Sequence, residues 1–295
     1  MSQAPEGPPA GAPATPVSGV YVKIYREIMA DKTLLPTMPE IAVRMRAAMS
    51  DPKSDVGRIA RIVQADAGVS AYLVRMANSP LFRGRQPSTD VPAAVVRLGT
   101  HLTRNVVIAH TLRSMFRVKS ERLAGVMQEM WARSARLAAL SAVLAKRSGA
   151  VSPDRALLGG LLQDIGALPV LNALERRRDE PPSLERVHAT IEELASKVGA
   201  TLLTHWSFDH EMVEVARSRG DWLRNPGKQA DLADLVLIAR LHASTGMPGM
   251  RCPRIDQVPA FAKLPPLGPL GQDETLVLLA EAESEVREVA EMLGV

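Results

Sequence analysis

The amino-acid sequence predicts an all-α fold. Apolar residues recur at helical spacing along almost the whole chain, so that they lie on one face of each predicted helix. The alternation of apolar and polar residues that marks a half-buried strand is nearly absent. Proline and glycine stand between the periodic stretches, where they end one helix before the next begins.

Capping residues and prolines mark the helices of the first half. Residues 37–40 (TMPE) resemble a capping box that opens a helix, and this helix is expected to end before Pro52, because proline disfavours helical backbone at the preceding residue. Ser54 is predicted to cap the next helix, and Gly99 to separate a short helix from a long one. The later helices of this half are predicted over 69–78, 91–98 and 102–116.

The second half begins with one long helix, predicted over 122–147 and ended near Gly149. Ser152 and Pro153 then provide a cap and a first-turn proline for a helix in which Gly159 and Gly160 permit close backbone approach. The remaining helices are predicted over 184–197, 200–206, 209–217, 228–244 and 274–293.

Composition indicates a water-soluble globular chain and argues against nucleic-acid binding. Hydrophobic residues make up 46% and charged residues 23% of the sequence, which are ordinary values for a soluble domain. The net charge of +4 is spread along the chain, whereas a nucleic-acid interface needs clustered basic charge. Aromatic residues amount to only 3%, so stacking platforms for single strands are not expected.

Cysteine use and the N-terminal sequence indicate a cytoplasmic protein. The single cysteine, Cys252, cannot form an internal disulfide and fits a reducing compartment. No uninterrupted apolar run reaches the roughly 20 residues needed to span a bilayer. Residues 1–20 lack the pattern of a signal peptide, and their Pro, Ala and Gly content predicts a disordered tail.

A series of short motifs resembles the HDOD domain. Individually each motif is weak, but their order and spacing over residues 34 to about 220 identify the family. The motifs lie at 35–39 (LPTMP), 62–66 (IVQAD), 75–79 (RMANS), 94–99 (AVVRLG), 160–166 (GLLQDIG) and 198–203 (VGATLL).

The resemblance implies a division of the chain into parts. The HDOD-like domain is expected over 21–246, with an N-terminal helical bundle over 21–118 packed against an HD-like region over 119–246. Residues 247–295 are expected to form a Pro-rich connection and a C-terminal helix that packs on this domain. The family further implies a bacterial cytoplasmic signalling or regulatory role, generally without demonstrated catalysis.

The resemblance also implies a metal site that has degenerated. In helical HD phosphohydrolases an adjacent His-Asp pair binds a divalent metal that activates water. Here the pair reads Gln163-Asp164, and three further positions where relatives carry histidine hold Arg133, Ala195 and Arg219. Arginine cannot bind a metal, because guanidinium stays protonated and has no free lone pair. We therefore expect no bound metal, no cofactor and no catalytic residue.

Two roles are open for these arginines. In the first, Asp164 pairs with Arg133 across two helices, so that a side-chain cation replaces the metal. In the second, the degenerate positions Arg133, Gln163, Asp164, Ala195 and Arg219 form a pocket for a nucleotide or cyclic dinucleotide, because guanidinium binds phosphate bidentately.

The function that follows is a non-catalytic signal-transduction scaffold that binds other regulatory proteins. The alternatives are a nucleotide sensor and, with less support from the ligand count, a residual metal-dependent phosphohydrolase. Five arginines outside the degenerate site are candidate contacts for an anion or a partner protein: Arg83, Arg85, Arg176, Arg177 and Arg178.

Overall fold

The computed structural model describes residues 17–31, 34–51, 53–116, 120–177, 182–245, 252–271 and 276–295. Within these ranges helices provide almost all of the regular structure. The β pairing found there is a single antiparallel bridge between Leu270 and Leu276. The predicted all-α fold is confirmed.

The N-terminal part of the chain contains five helices, namely α1 (Val17–Ala30), α2 (Glu40–Ser50), α3 (Val56–Gln64), α4 (Ala67–Ala77) and α5 (Val91–Leu112). Helices α2 to α5 form the bundle, whereas α1, which was expected to belong to it, packs on two helices of the HD-like region. Helix α5 is central, because α2, α3 and α4 all pack against it. The backbone at Gly99 has a φ of 73°, which only glycine adopts without strain, and it kinks α5 at the predicted position.

Three predicted details of this half were wrong. The tail was expected to reach residue 20, but α1 begins at Val17; residues 1–16 lie outside the described residues. Helix α2 has no side-chain cap, because it begins at Glu40 and Thr37 stands too far ahead of its first amides. Helix α3 is capped by Asp55 instead of Ser54, since the Asp55 carboxylate accepts a hydrogen bond from the third amide of the helix.

The HD-like region consists of six helices. They are α6 (Glu121–Ser148), α7 (Pro153–Leu162), α8 (Ala167–Glu175), α9 (Leu184–His205), α10 (His210–Arg217) and α11 (Leu232–Ser244). Helices α6 and α7 pack with their backbones close together, because a Cβ on Gly160 would stand only 2.5 Å from the Cα of Ala138. The predicted close approach at this glycine is confirmed.

Helix α9 is continuous where two helices had been predicted, over 184–197 and 200–206. Gly199 is retained inside the helix, where it faces the turn that joins α7 to α8. A Cβ on Gly166 in that turn would overlap the carbonyl oxygen of Ala195. Glycine at these two positions therefore brings the turn against α9, which positions the site described below.

The last part of the chain packs back on the domain. The first helix of this part is α12 (Pro259–Lys263). The helix predicted over 274–293 is divided into α13 (Val277–Glu281) and α14 (Glu283–Met292), because the backbone leaves helical geometry at Ala282. Residues 274–275 lie outside the described residues. Trp131 of α6 donates its indole N–H to the carbonyl of Leu293 at 3.2 Å.

Two ion-pair groups fix this C-terminal part. Glu285 of α14 contacts Lys146 at 2.6 Å and Arg147 at 3.3 Å, both on α6. Lys263, at the end of α12, lies 2.9 Å from the fully buried carboxylate of Asp234 on α11. A buried acidic group held in this way ties the C-terminal segment to the HD-like region.

One stretch, Pro153–Glu175, is long and apolar enough to cross a membrane by length and composition alone. It comprises α7, the following turn and α8, and 94% of its most apolar window is buried inside the fold. The stretch is not an uninterrupted apolar run, since Asp164 lies inside it. The stretch passes through the core of the HD-like region.

Candidate functional site

The site is centred on Asp164, in the turn between α7 and α8. Gln163 and Asp164 are both buried, with 0% and 2% of their surface exposed. The Arg219 Nε group donates to Oδ1 of Asp164. The Arg240 Nη1 group donates to both carboxylate oxygens, each at 3.1 Å. The carboxylate therefore has a guanidinium cation on two sides.

Arg219 joins this buried carboxylate to a second one. It follows the end of α10, and its two terminal nitrogens donate to the carboxylate oxygens of Glu192 at 2.8 and 2.7 Å. This is the bidentate arrangement in which guanidinium and carboxylate form their strongest hydrogen bonds. The Arg219 side chain is 3% exposed, whereas that of Glu192 on α9 is half exposed.

Arg240 lies in the middle of α11 and is buried among apolar neighbours. Besides Asp164, its Nη1 group donates to the amide oxygen of Gln163 at 3.1 Å. Gln163 thus keeps an acceptor aimed into the site, although it replaces the expected histidine. Its Nε2 group is buried and has no hydrogen-bond acceptor among the residues that the structure describes.

The charges in the site set the protonation states. Burial alone would raise the pKa of Asp164, but the Arg240 and Arg219 guanidinium groups outweigh it and hold this pKa well below its usual range. Burial tends to lower the pKa of Arg219, yet Asp164 and Glu192 raise it overall. The pKa of Arg240 is lowered, because burial and the neighbouring Arg219 outweigh the attraction of Asp164. Asp164 is ionised and both arginines are protonated.

Arg133 is not the partner of Asp164, so the predicted cross-helix pair is wrong. Its ion pair is with Glu129, one turn earlier on α6, at 3.8 Å. The Arg133 side chain is partly buried and acts on Asp164 only through space, where it helps to lower the pKa of the carboxyl. Arg219 takes the direct contact because the end of α10 brings it to the turn.

The other degenerate positions do converge. Ala195 is fully buried on α9, and its carbonyl oxygen meets the backbone of Gly166 two residues after Asp164. Gln163, Asp164, Ala195 and Arg219 therefore share one neighbourhood. The comparison with the HD pattern thus indicated residues that lie together in the fold, but the pairing expected between Asp164 and Arg133 is wrong.

Two residues of the site were missed by the sequence analysis. Arg240 could have been found, because it is the lone cation of an apolar helix, and a cation there needs a buried carboxylate. Glu192 gave no such signal: it stands in a mixed polar stretch of α9, and only the fold shows that it faces Arg219.

The residues present do not fit a divalent metal. The Asp164 oxygens already accept hydrogen bonds from Arg219 and Arg240, whose positive charges would repel a cation in the same place. Gln163 offers a neutral amide oxygen, and Arg133 and Arg219 have no lone pair to donate. In the part of the chain that is described, no group of three or more His, Cys, Asp or Glu side chains is placed to hold a metal ion.

The candidate contacts outside the site divide into two groups. Arg176 and Arg177 pair with Asp31 at 2.9 Å and Glu27 at 2.8 Å, so they hold the end of α1 and its following residue against α8. Their predicted role as partner contacts is replaced by this internal one, because α1 supplies the carboxylates. Arg178 lies outside the described residues.

For Arg83 and Arg85 the role as contacts for an anion or a partner protein stays a prediction. Both are exposed in the loop between α4 and α5, and neither makes an ion pair with any residue that the structure describes.

Comparison with known proteins agrees with this architecture. A family model of the HDOD domain matches residues 35–221, which is more than half of the chain. Among curated proteins, none has a significantly similar sequence.

Solved structures share the fold. A protein of Shewanella amazonensis SB2B, provisionally named a metal-dependent phosphohydrolase, has a TM-score of 0.79 at 22% identity, with 94% of this chain and 99% of that chain covered. An HDOD domain protein of unknown function from Geobacter sulfurreducens has a TM-score of 0.64 at 22% identity, with 94% and 98% covered. A provisionally named signal transduction protein of Marinobacter aquaeolei VT8 has a TM-score of 0.60 at 18% identity, with 94% and 66% covered. The chain belongs to the HDOD domain family.

Proposed function

We propose that this chain is a non-catalytic regulatory protein of the bacterial cytoplasm that acts by binding other proteins. The observation that carries the proposal is the engagement of Asp164 by Arg219 and Arg240. The carboxylate that would bind a metal in an HD phosphohydrolase instead belongs to an internal ion-pair network. This network joins the α7–α8 turn to α9, α11 and the end of α10, so its role is to hold the HD-like region together.

Hydrolysis at this centre would need a metal-bound water, which several ligands must hold and activate. The network offers one engaged carboxylate and two cations in that place. It also has little to offer a nucleotide, because Arg219 and Arg240 are only 3% and 6% exposed and already pair with carboxylates. A phosphate group would have to displace Asp164 or Glu192 to reach them.

A surface near the network supports the binding of partner proteins. The loop that carries Arg219 continues into Trp222, which is half buried, and Leu223, which is 74% exposed. A large apolar side chain exposed beside an aromatic ring is a common feature of protein-binding surfaces. Arg83 and Arg85 provide a second candidate surface, which is basic instead of apolar. The name of the Marinobacter relative, a signal transduction protein, agrees with a regulatory role.

The loss of hydrolysis is tested with purified full-length chain supplied with Mn²⁺, Fe²⁺ or Mg²⁺ and a chromogenic phosphodiester. We expect the rate to equal that of the Asp164→Asn variant under every metal. A metal-dependent rate that the wild type has and this variant loses would contradict the proposal.

The binding function is tested by affinity capture from the native cell. The wild type is compared with Leu223→Ser and with a matched control, Val43→Ser, which removes an exposed apolar side chain from α2. We expect specific partners that Leu223→Ser loses and Val43→Ser keeps. Recovery of no protein beyond a tag-only control would count against the scaffold function, and equal recovery by both variants would exclude Leu223 as the contact.

A further inference from the structure

A separate cavity of about 250 Å³ lies where the N-terminal bundle meets the HD-like region. Its walls come from α2, α5, α7, α10 and the turn between α9 and α10. The apolar part of the wall includes Ile108, Leu158 and Met212, and the polar part includes Arg46 and Arg104. None of these residues belongs to the Asp164 network.

Arg104 presents a positive charge that no carboxylate in the described part of the chain neutralises by direct contact. Its Nε and Nη2 groups donate to Oδ1 of Asn105 at 3.1 Å each, and Asn105 is held in turn by Asp154 at 2.8 Å. Its Nη1 group has no acceptor among the described residues. Hydrogen bonds to Asn105 thus fix one side of the guanidinium, and its Nη1 group can still donate to a ligand.

The surroundings of Arg104 favour an added anion. Burial and like-charge repulsion from Arg155 lower the pKa of Arg104, and they outweigh the opposite effect of the more distant carboxylates of Asp209 and Asp154. Bound negative charge would offset both effects.

A second arginine lies in the polar wall. Arg46 donates to the backbone carbonyl of Trp206 and makes no ion pair with the residues that the structure describes. Asp209 lines the cavity too, but its two oxygens accept hydrogen bonds from Arg155 at 2.9 and 3.1 Å. Arg155 also pairs with Glu211 at 2.7 Å. Arg46 and Arg104 are thus the cations of the cavity wall, and the one carboxylate in this wall has its ion pair with an arginine outside it.

The turn between α9 and α10 forms one wall of the cavity. Ser207 in this turn has a φ of 54°, and it is the one non-glycine residue with a positive φ in the described part of the chain. This left-handed residue ends α9, because the Phe208 amide donates to the Leu203 carbonyl and the Ser207 amide donates to the Thr204 carbonyl, each at 2.9 Å. Hydrogen bonds at the end of a helix therefore fix this wall.

We propose that this cavity binds a small oxyanion carried on an apolar body. The oxyanion, a carboxylate or a phosphate monoester, would contact Arg104 and Arg46, and the apolar body would lie against Ile108, Leu158 and Met212. The volume of about 250 Å³ is at the lower end of small-molecule pockets, which span about 300–1,000 Å³, so the cavity favours a small ligand over a cyclic dinucleotide. Because the walls come from both parts of the domain, the ligand would stabilise their junction.

The test uses isothermal titration calorimetry on the full-length chain with three probes that share a phenyl group. Two carry an oxyanion, 3-phenylpropanoate and phenyl phosphate, and the third is the neutral 3-phenylpropanamide. We expect one or both anions to bind about tenfold or more tightly than the amide, since a charge-assisted hydrogen bond is lost in the amide. The two anions distinguish a carboxylate site from a phosphate site.

Two variants locate the binding. Arg104→Gln and Arg46→Gln should each weaken the bound anion about tenfold. Arg61→Gln, which changes an exposed arginine of α3 outside the cavity, should leave it unchanged. Circular dichroism verifies the fold of each variant, and Arg46→Gln carries the test if Arg104→Gln does not fold. The proposal is overturned if neither anion binds, if the amide binds equally well, or if the folded cavity variants bind as the wild type does.

Discussion

The Nη1 atom of Arg240 lies 3.1 Å from each of the two carboxylate oxygens of Asp164. A guanidinium group therefore stands beside the one acidic residue that the HD motif retains. Arg219 approaches the same carboxylate from the end of α10, and it also donates hydrogen bonds to Glu192. Two cations and two anions form a neutral, mostly buried cluster. Removal of any one of these charges leaves the cluster with a net charge.

Replacement of Asp164 by asparagine should strongly destabilise the fold. It leaves two buried guanidinium groups with Glu192 as their remaining carboxylate, and the loss of one partner from a buried pair costs about 3–5 kcal/mol in the free energy of unfolding. Urea denaturation measures the loss. Asp221→Asn, in the exposed loop after α10, is the control and should change little. Equal effects of the two substitutions would show that the network contributes nothing to stability.

Removal of Arg240 should rescue part of that loss. In the double variant Asp164→Asn/Arg240→Met the unpaired cation disappears and an apolar side chain of similar length replaces it. We expect a recovery of about 1–3 kcal/mol relative to Asp164→Asn alone. Asp164→Asn/Arg133→Met should recover little, because Arg133 makes its ion pair with Glu129. A larger rescue by the Arg133 substitution would assign the direct pairing to that residue after all.

The contribution of Asp164 should depend on pH in one direction. Its folded pKa lies below the unfolded value of about 3.9, so the stabilisation is complete above that value and is lost as the pH falls through the folded pKa. The difference in the free energy of unfolding between wild type and Asp164→Asn should be constant from about pH 5 to 7 and shrink below about pH 4. A difference that grows on acidification would mean that the carboxyl is protonated in the folded protein.

Gly160 should not tolerate a side chain. A Cβ there would stand 2.5 Å from the Cα of Ala138, and backbone atoms cannot give way as a flexible side chain can. Gly160→Ala should lower the free energy of unfolding by about 1–3 kcal/mol. The control is Gly125→Ala on the exposed side of α6, where nothing lies within 4 Å and the better helix former should stabilise by about 0.5–1 kcal/mol. Thermal unfolding of both variants should shift in opposite directions.

Much of the fold could be predicted from local sequence. Helical periodicity located the long helices, and Gly99 and Gly149 marked a kink and a helix end that the structure contains. Helix boundaries that depend on tertiary contacts could not be predicted from local sequence. Gly199 looked like a helix break, yet it remains helical because the turn at Gly166 packs against it. The sequence alone does not distinguish a glycine that permits close helix packing from a glycine that ends a helix.

The family motif indicated which residues lie near Asp164, but not which of them pair with it. Arg133 was predicted as the partner because it stands where relatives carry a histidine, whereas the geometry selects Arg219 and Arg240. The choice among several arginines depends on which helices reach the turn, and this is a property of the packed fold. Arg240 could have been predicted as a site residue because it is a cation in an apolar helix. Glu192 is identified as a site residue only by its contact with Arg219.

Metal analysis of the purified chain tests the central claim most directly. Protein prepared without chelators, as wild type and as Asp164→Asn, is examined by inductively coupled plasma mass spectrometry for iron, manganese and zinc. If arginines have taken the place of the metal, both proteins should contain the same trace amounts, far below one metal per chain. A stoichiometric metal in the wild type that disappears in Asp164→Asn would contradict the account.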